Sequence, residues 1–322
     1  MRAVVHTRYG PPEVLGLAER EKPALTEDGL LVRVRAASIN AMDWYFLTGI
    51  PYPARMMSGL LRPARDIPGV DFAGTVEAVG ASVTRFRPGD EVFGGARGTL
   101  AEYVTVAERR VARKPAGVTF EQAAAVPVAG LTALQGLRDK GQVRAGQDVL
   151  VNGASGGVGT FAVQIAKALG ARVTAVCRTD KVEVARSIGA DDVVDFTRDD
   201  FTRSGRRYDV LFDVAGSRSW SECRRVLKPE AIWILAGGPR TNPWTGPVAH
   251  LVGTLLASAG RRPKVTAFMA KLDARDLGVL GGLLESGKVT PVIDHCYPLG
   301  EAAAAFRHFG AGHPQGKIVV SL

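Results

Sequence analysis

The sequence predicts an α/β chain in which a compact, partly closed β domain accompanies a doubly wound parallel sheet. Three observations carry this. Strand-like segments punctuated by Gly and Pro dominate up to about residue 114. From residue 119 strands and helices alternate. Within that second region a strand, a glycine-rich turn and a helix run consecutively through residues 148–178, DVLVNGASGGVGTFAVQIAKALGARVTAVCR. Strand–helix alternation of this kind builds a parallel sheet with helices on its faces.

The unit at 148–178 can be justified residue by residue. Val149, Leu150 and Val151 form a short apolar run, as in a strand buried on both faces. Phe161, Ala162, Ile165, Ala166 and Leu169 recur at helical spacing, and Gly170 stops the helix. The turn between them spaces Ala154, Gly156 and Gly159 as the dinucleotide fingerprint, with Ala in the first glycine place. Glycines let a phosphate approach the backbone, and the open N–H groups of a helix start favour its charge. Ala154, Ser155, Gly156, Gly157, Val158 and Gly159 are therefore expected to cradle a pyrophosphate. An NAD reader ends the next strand with an acid that binds the ribose 2′-hydroxyl. Here Cys177 is followed by Arg178, Thr179, Asp180 and Lys181. Two cations and a hydroxyl suit the 2′-phosphate of NADPH. Asp180 with Glu183 reads as a capping box for a helix over 181–188.

At 322 residues two domains are expected, each able to bury a core. A hydrophobic content of 46% and a charged content of 23% are ordinary for a globular protein. The net charge of +9 is spread without a basic run and without interleaved aromatics, so nucleic-acid binding is not expected. Cys177, Cys223 and Cys296 are widely separated, which fits a reducing cytoplasm. The start MRAVVHTRYG reads as a strand, and the longest apolar stretch, 248–259, is too short to span a bilayer.

The first region reads as strands in LLVRVRAASIN, DFAGTVEAV, FRPGDEVFG and LAEYVTV. Residues 50–68, rich in Pro and Arg, read as a loop with one helical turn, and with 243–262 they are expected to shape a ligand pocket. In the second region strands are expected at 193–196, 208–216 and 231–238, with 264–269 as a sheet edge. Val214, Ala215, Ala236 and Gly237 then fall at strand ends, on the side of the sheet where cofactors rest. A helix over 274–285, strand character in VTPVIDHCYPL and GKIVVSL, and a helix over 301–309 return the chain to the β domain.

With these segments in order, the chain resembles the medium-chain dehydrogenase/reductase superfamily, most of all its zinc-free quinone oxidoreductase branch of zeta-crystallin type. ASINAMDW, PGVDFAG, FRPGDEVFG, LAEYV, AAAVPVAGLTAL, NGASGGVG, SIGADDVVDF and GKIVV carry the resemblance over nearly the whole length. It implies a GroES-like catalytic domain from 1–121 and 273–322, a Rossmann domain from 122–272, and a nicotinamide held in the cleft between them. Zinc-dependent members carry Cys where this chain has Asn40-Ala41-Met42-Asp43, and His-Glu where it has Val70-Asp71. No set of zinc ligands remains, so no metal is expected.

Hydride delivery without a metal suits conjugate reduction of an enone, or reduction of a quinone. The developing oxyanion needs hydrogen-bond donors and a proton. By resemblance, Asn40 lines the nicotinamide cleft and its amide is a candidate donor. Trp44, Tyr45 and Tyr52 are candidates for an aromatic wall and a phenolic donor. Thr132 is expected beside the nicotinamide ribose or carboxamide, and Lys317 near the nicotinamide end, although a lysine at a strand start is more often solvated. The function expected is NADPH-dependent reduction of quinones or activated enones. One alternative is a 2-alkenal or enoyl-thioester reductase, for which Arg55, Arg62 and Arg65 would supply a basic track. Another is an NADPH-binding protein without activity, with a structural or nucleic-acid-binding role. A homodimer formed through the edge at 265–269 is expected.

Overall fold

The computed structural model describes residues 1–239, 242, 244–312 and 314–322. Pro243, in one of the two segments expected to shape a pocket, lies outside the described residues. The chain divides into two compact units, Met1–Leu131 with Leu272–Gly287 and Pro291–Leu322, and Thr132–Lys271 with Lys288–Thr290.

The first unit opens with the antiparallel pair β1 (Arg2–Val5) and β2 (Gly16–Glu19). It continues with β3 (Gly29–Ser38), β4 (Asp71–Val79), β5 (Glu91–Gly95), β6 (Tyr103–Ala107) and β7 (Val111–Arg113). The second unit contributes β8 (Asp148–Asn152), β9 (Arg172–Cys177), β10 (Asp192–Asp195), β11 (Tyr208–Asp213), β12 (Leu227–Leu235) and β13 (Lys264–Ala267). β14 (Ile293–Pro298) and β15 (Lys317–Ser321) then return the chain to the first unit.

In the first unit seven strands form one sheet in the order β14-β15-β3-β4-β5-β7, with β6 also on β3. β3 is its hub because it alternates: Leu30, Val32 and Val34 are buried while Arg33 and Arg35 face outward. Those apolar residues meet Phe72, Val76, Phe86, Val92, Val104 and Val106 in one core. Each such side chain contributes about 1.5–3 kcal/mol on burial. The antiparallel registers place Ser38 opposite Asp71 on β4 and opposite Val319 on β15. The end of β3 therefore meets the start of β4 and the middle of β15, although those strands are far apart in sequence.

The second unit is a six-stranded, wholly parallel sheet in the order β10-β9-β8-β11-β12-β13. The chain builds outward from β8 to β10, then crosses back and builds outward from β11 to β13. The order reverses between β8 and β11, and a crevice opens outside the carboxyl ends of strands at such a point. β8 is buried through four successive residues, as its apolar run requires. Trp220 and Trp233 stack at 5.9 Å within the core that covers β11 and β12. No helix among the described residues is long and apolar enough to cross a membrane.

Candidate active site

The glycine turn of the second unit has the geometry of an anion cradle. Gly153 holds a positive φ of 86° after β8. The helix Gly157–Ala168 then begins, its first intrahelical bond running from Thr160 N–H to the Gly156 carbonyl. The N–H groups of Gly157, Val158 and Gly159 precede that bond and have no acceptor within the helix. At Gly159 a methyl group would strike the Gly153 carbonyl and the Ala154 backbone, so glycine permits the close packing of helix on turn. At Gly156 a methyl would meet only the Gly153 oxygen, at 3.8 Å, and otherwise open space. The two glycines thus serve different ends, one for packing and one for an open approach. This cradle fits a pyrophosphate.

The neighbouring strand ends converge on the turn. Val214 N–H bonds the Asn152 carbonyl, and Ala236 N–H bonds the Asp213 carbonyl. Ala215 lies against Gly153, and Gly237 packs on the Val214 backbone. The organiser of these loops is Asp213, fully buried at the end of β11 and not singled out from the sequence. Its carboxylate accepts from Asn152 Nδ2 at 2.8 Å, Gly216 N–H at 2.9 Å and Trp233 Nε1 at 3.2 Å. Burial pushes its pKa up, and those donors oppose the shift. The sequence signal was present as an acid closing an apolar strand, but its partners lie on other elements.

The end of β9 differs in part from expectation. Arg178 Nε and Lys181 Nζ lie 3.5 Å and 3.6 Å from the two oxygens of Asp180. Asp180 is therefore not an N-cap: the helix is Val182–Ser187 with Lys181 at its cap, and Glu183 pairs with Arg186. The reason is that two adjacent cations compete for that carboxylate more strongly than a neutral N–H does. A second acid is present that chain order concealed. Asp195 closes β10, lies in register with Cys177 and accepts the Thr179 hydroxyl at 2.6 Å. Thr179, Arg178 and Lys181 thus each have a carboxylate neighbour at this strand end. Burial, then the nearby Asp195 and Asp180, push the Cys177 thiol up to about 11, so it stays neutral.

In the first unit the strand junction gathers a second set. Asn40 follows β3 and caps the helix Ala41–Thr48, where its own N–H donates to Asp43 Oδ2 at 2.8 Å. Its side-chain Nδ2 donates to Asp71 Oδ2 at 2.9 Å, and its Oδ1 accepts from Lys317 Nζ at 2.6 Å. Lys317 is 3% exposed, so it is not the solvated strand-start lysine that composition favours. It is desolvated because β15 enters the sheet beside β3, and two carboxylates compensate it. Asp71 and Asp43, at 0% and 2% exposure, were not singled out from the sequence as site residues. Burial pushes Asp43 up to about 7, with Asp71 adding to the rise. It also pushes Asp71 up, opposed first by Lys317. Lys317 is itself lowered by burial and held up by the two carboxylates.

The aromatic candidates divide. Trp44 is partly buried and packs against the core beside Phe309, with ring centroids 6.3 Å apart. Tyr45 lies on the helix Ala41–Thr48 and is half-buried. Tyr52 opens a short turn in the 50–68 loop and is 39% exposed, with the Arg55 guanidinium 5.1 Å from its ring. Arg55 also stacks on Tyr9 and donates to the Gly49 carbonyl, which withdraws it from any basic track. Thr132 lies in the helix Pro127–Gln135. Among the described residues no three of His, Cys, Asp or Glu are grouped so as to hold a metal ion.

Comparison with known proteins agrees with this construction. Residues 26–116 match the alcohol dehydrogenase GroES-like domain, and residues 188–320 match the family described as zinc-binding dehydrogenase. The chain is 32% identical to the NADPH-dependent alkenal/one oxidoreductase of Arabidopsis thaliana, over 99% of its own length and 79% of the relative's. It is 33% identical to a quinone oxidoreductase of Pseudomonas aeruginosa over 97% of both chains. The solved quinone oxidoreductase of Coxiella burnetii superposes with a TM-score of 0.86 at 27% identity, covering 100% of this chain and 99% of the other. A GroES-like unit with a Rossmann-type parallel sheet and a phosphate cradle is the architecture of a nucleotide-dependent dehydrogenase or reductase. The chain belongs to the medium-chain dehydrogenase/reductase superfamily, among its quinone oxidoreductases.

Proposed function

We propose that this protein is an NADPH-dependent oxidoreductase that reduces quinones or activated enones by hydride transfer, without a metal. The observation that carries the reading is the cradle at Gly156–Gly159, with its open helix start and Arg178 and Lys181 at the next strand end. The NADPH-dependent relative and the quinone oxidoreductases support it. NADPH supplies the hydride when bound. In this scheme the turn 154–159 holds the pyrophosphate, the ends of β11 and β12 at Val214, Ala215, Ala236 and Gly237 border the cofactor, and Arg178 and Lys181 take the 2′-phosphate. Thr132 is assigned to the nicotinamide end.

The oxyanion that forms on the substrate needs a donor. Asn40 Nδ2 donates to Asp71, and the Asn40 side chain also bonds Asp43. The Asn40 amide is assigned to the substrate oxygen, with Tyr45 or Tyr52 as the phenolic donor. Metal independence is supported by the chemistry around Asp71: its oxygens already accept from Lys317, Asn40, Ser38 and Val128 N–H, so an ammonium occupies the role a cation would take. NADPH and NADH oxidation against ortho-quinones, para-quinones, alkenals and enoyl thioesters tests the assignment. Wild type is expected to prefer NADPH, Arg178→Ala to lose that preference about tenfold, and Asn40→Ala to lose roughly 100-fold in kcat. Tight NADPH binding without turnover of any class would instead favour a binding protein.

We further infer a homodimer through β13. That strand is the outer member of its sheet, and the helix Pro247–Ser258 before it exposes Val248, Val252 and Leu256. An open edge beside an apolar face is a surface that proteins cover. A monomeric mass by light scattering at micromolar concentration would refute it. The free cysteines, two of them buried, support a reducing compartment such as the cytoplasm.

A further inference from the structure

The cluster around Asn40 does more than bury charge. An ammonium can only donate and a carboxylate can only accept, whereas an amide does both through atoms of nearly equal size. The Asn40 amide lies between Lys317 Nζ, 2.6 Å from its oxygen, and Asp71 Oδ2, 2.9 Å from its nitrogen. Only one of its two flip states satisfies both neighbours. In the other, the amide nitrogen would face the ammonium and the amide oxygen would face the carboxylate. Lys317 is held in turn by the Ile39 carbonyl at 3.2 Å and by Asp71 at 3.4 Å. Asp71 is held by Ser38 Oγ at 3.2 Å and by Val128 N–H at 3.1 Å. The charged groups that face the amide are therefore Lys317 from β15, Asp71 from β4 and Asp43 from the helix Ala41–Thr48.

We propose that Lys317 and Asp71 are positioning residues that lock the Asn40 side chain in one flip state, so that it presents an N–H and never a carbonyl oxygen to the substrate. The inference rests on the assignment of Asn40 as oxyanion donor. A released amide would spend part of its time with its oxygen toward developing negative charge, which repels where the native state attracts. That loss falls on the transition state, so it reduces kcat with little change in NADPH affinity.

The test compares Lys317→Met, which removes the donor, with Lys317→Arg, which keeps a group that only donates. Because Lys317→Met leaves buried carboxylates uncompensated, the neutral pair Lys317→Met with Asp71→Asn replaces it if the single variant does not fold. The expected result is a 10- to 100-fold loss of kcat in the Met variant, on the order of part of an oxyanion donor. NADPH Kd by fluorescence should stay within about twofold, and Arg should largely restore the rate. In cofactor-free protein labelled at asparagine, the Asn40 side-chain N–H signals should keep their wild-type shifts in Lys317→Arg and move or broaden in the Met variant. A folded Met variant with wild-type kcat, or equal losses in Met and Arg, overturns the positioning role. Wild-type turnover in Asn40→Ala overturns the oxyanion assignment and this inference together, whereas a slow Asn40→Ala beside a fast Lys317→Met overturns the inference alone.

Discussion

Gly159→Ala is expected to lower both stability and NADPH affinity, whereas Gly156→Ala should lower affinity alone. The two positions lie three residues apart in one turn, yet a methyl group meets different surroundings at each. At Gly159 it would strike the Gly153 carbonyl and come within 2.8 Å of the Ala154 backbone. Neither obstacle is the flexible end of a side chain, so the helix start must move off the turn. Overpacking of this kind costs about 1–3 kcal/mol, and the displaced N–H groups no longer converge on a phosphate. At Gly156 the backbone is extended, with φ of −81° and ψ of 175°, and a methyl finds open space. Alanine there removes freedom from the unfolded chain and is neutral or mildly stabilising, by about 0.4–1 kcal/mol at most. The same methyl occupies the approach to the helix start, so NADPH Kd should rise about tenfold or more. Thermal unfolding without cofactor and fluorescence titration with NADPH separate the effects. Wild-type affinity in Gly156→Ala would show that the pyrophosphate does not lie against this turn.

The second large effect concerns Asp43. Its ordinary value is 3.8, and burial with the neighbouring Asp71 charge pushes it to about 7 in the folded state. The folded protein therefore binds a proton that the unfolded chain releases, and a group of this kind stabilises fully below the unfolded value. That contribution is lost as pH rises, between about 4 and 7, with a slope on the order of 1.4 kcal/mol per pH unit. Asp71, also raised by burial, acts in the same direction. Lys317 is lowered from 10.5 and contributes the opposite slope at alkaline pH. Asp43→Asn keeps an acceptor for the Asn40 N–H and removes the titration. Urea unfolding between pH 4 and 8 should show wild type losing stability more steeply across this window than the variant, which is the more stable above pH 7. Parallel curves for the two proteins would rule out a buried proton on Asp43.

What was legible in the sequence was what neighbouring residues settle among themselves. The run Val149–Val151, the glycines from Gly153 to Gly159 and the helical spacing from Phe161 onward act within one turn or one strand, where local sterics and periodicity are decisive. The return of the chain end to the β domain followed from strand character in GKIVVSL, and β15 does pair with β3. Errors arose where two local rules competed or where a partner came from another element. Asp180 satisfied a capping pattern but had cations on both sides.

The charged site is the clearest division between the two levels. The sequence placed Asn40 just after a strand, in the stretch Asn40-Ala41-Met42-Asp43 where zinc-dependent members carry a Cys, and Lys317 at the start of the last strand. Only the tertiary structure decided that they touch, across 277 positions of chain, with Asp71 between them. The physical reason is that a buried charge has no local signature. Its protonation, its partner and the direction in which it holds an amide all depend on which strands the sheet brings together and how little water it leaves there.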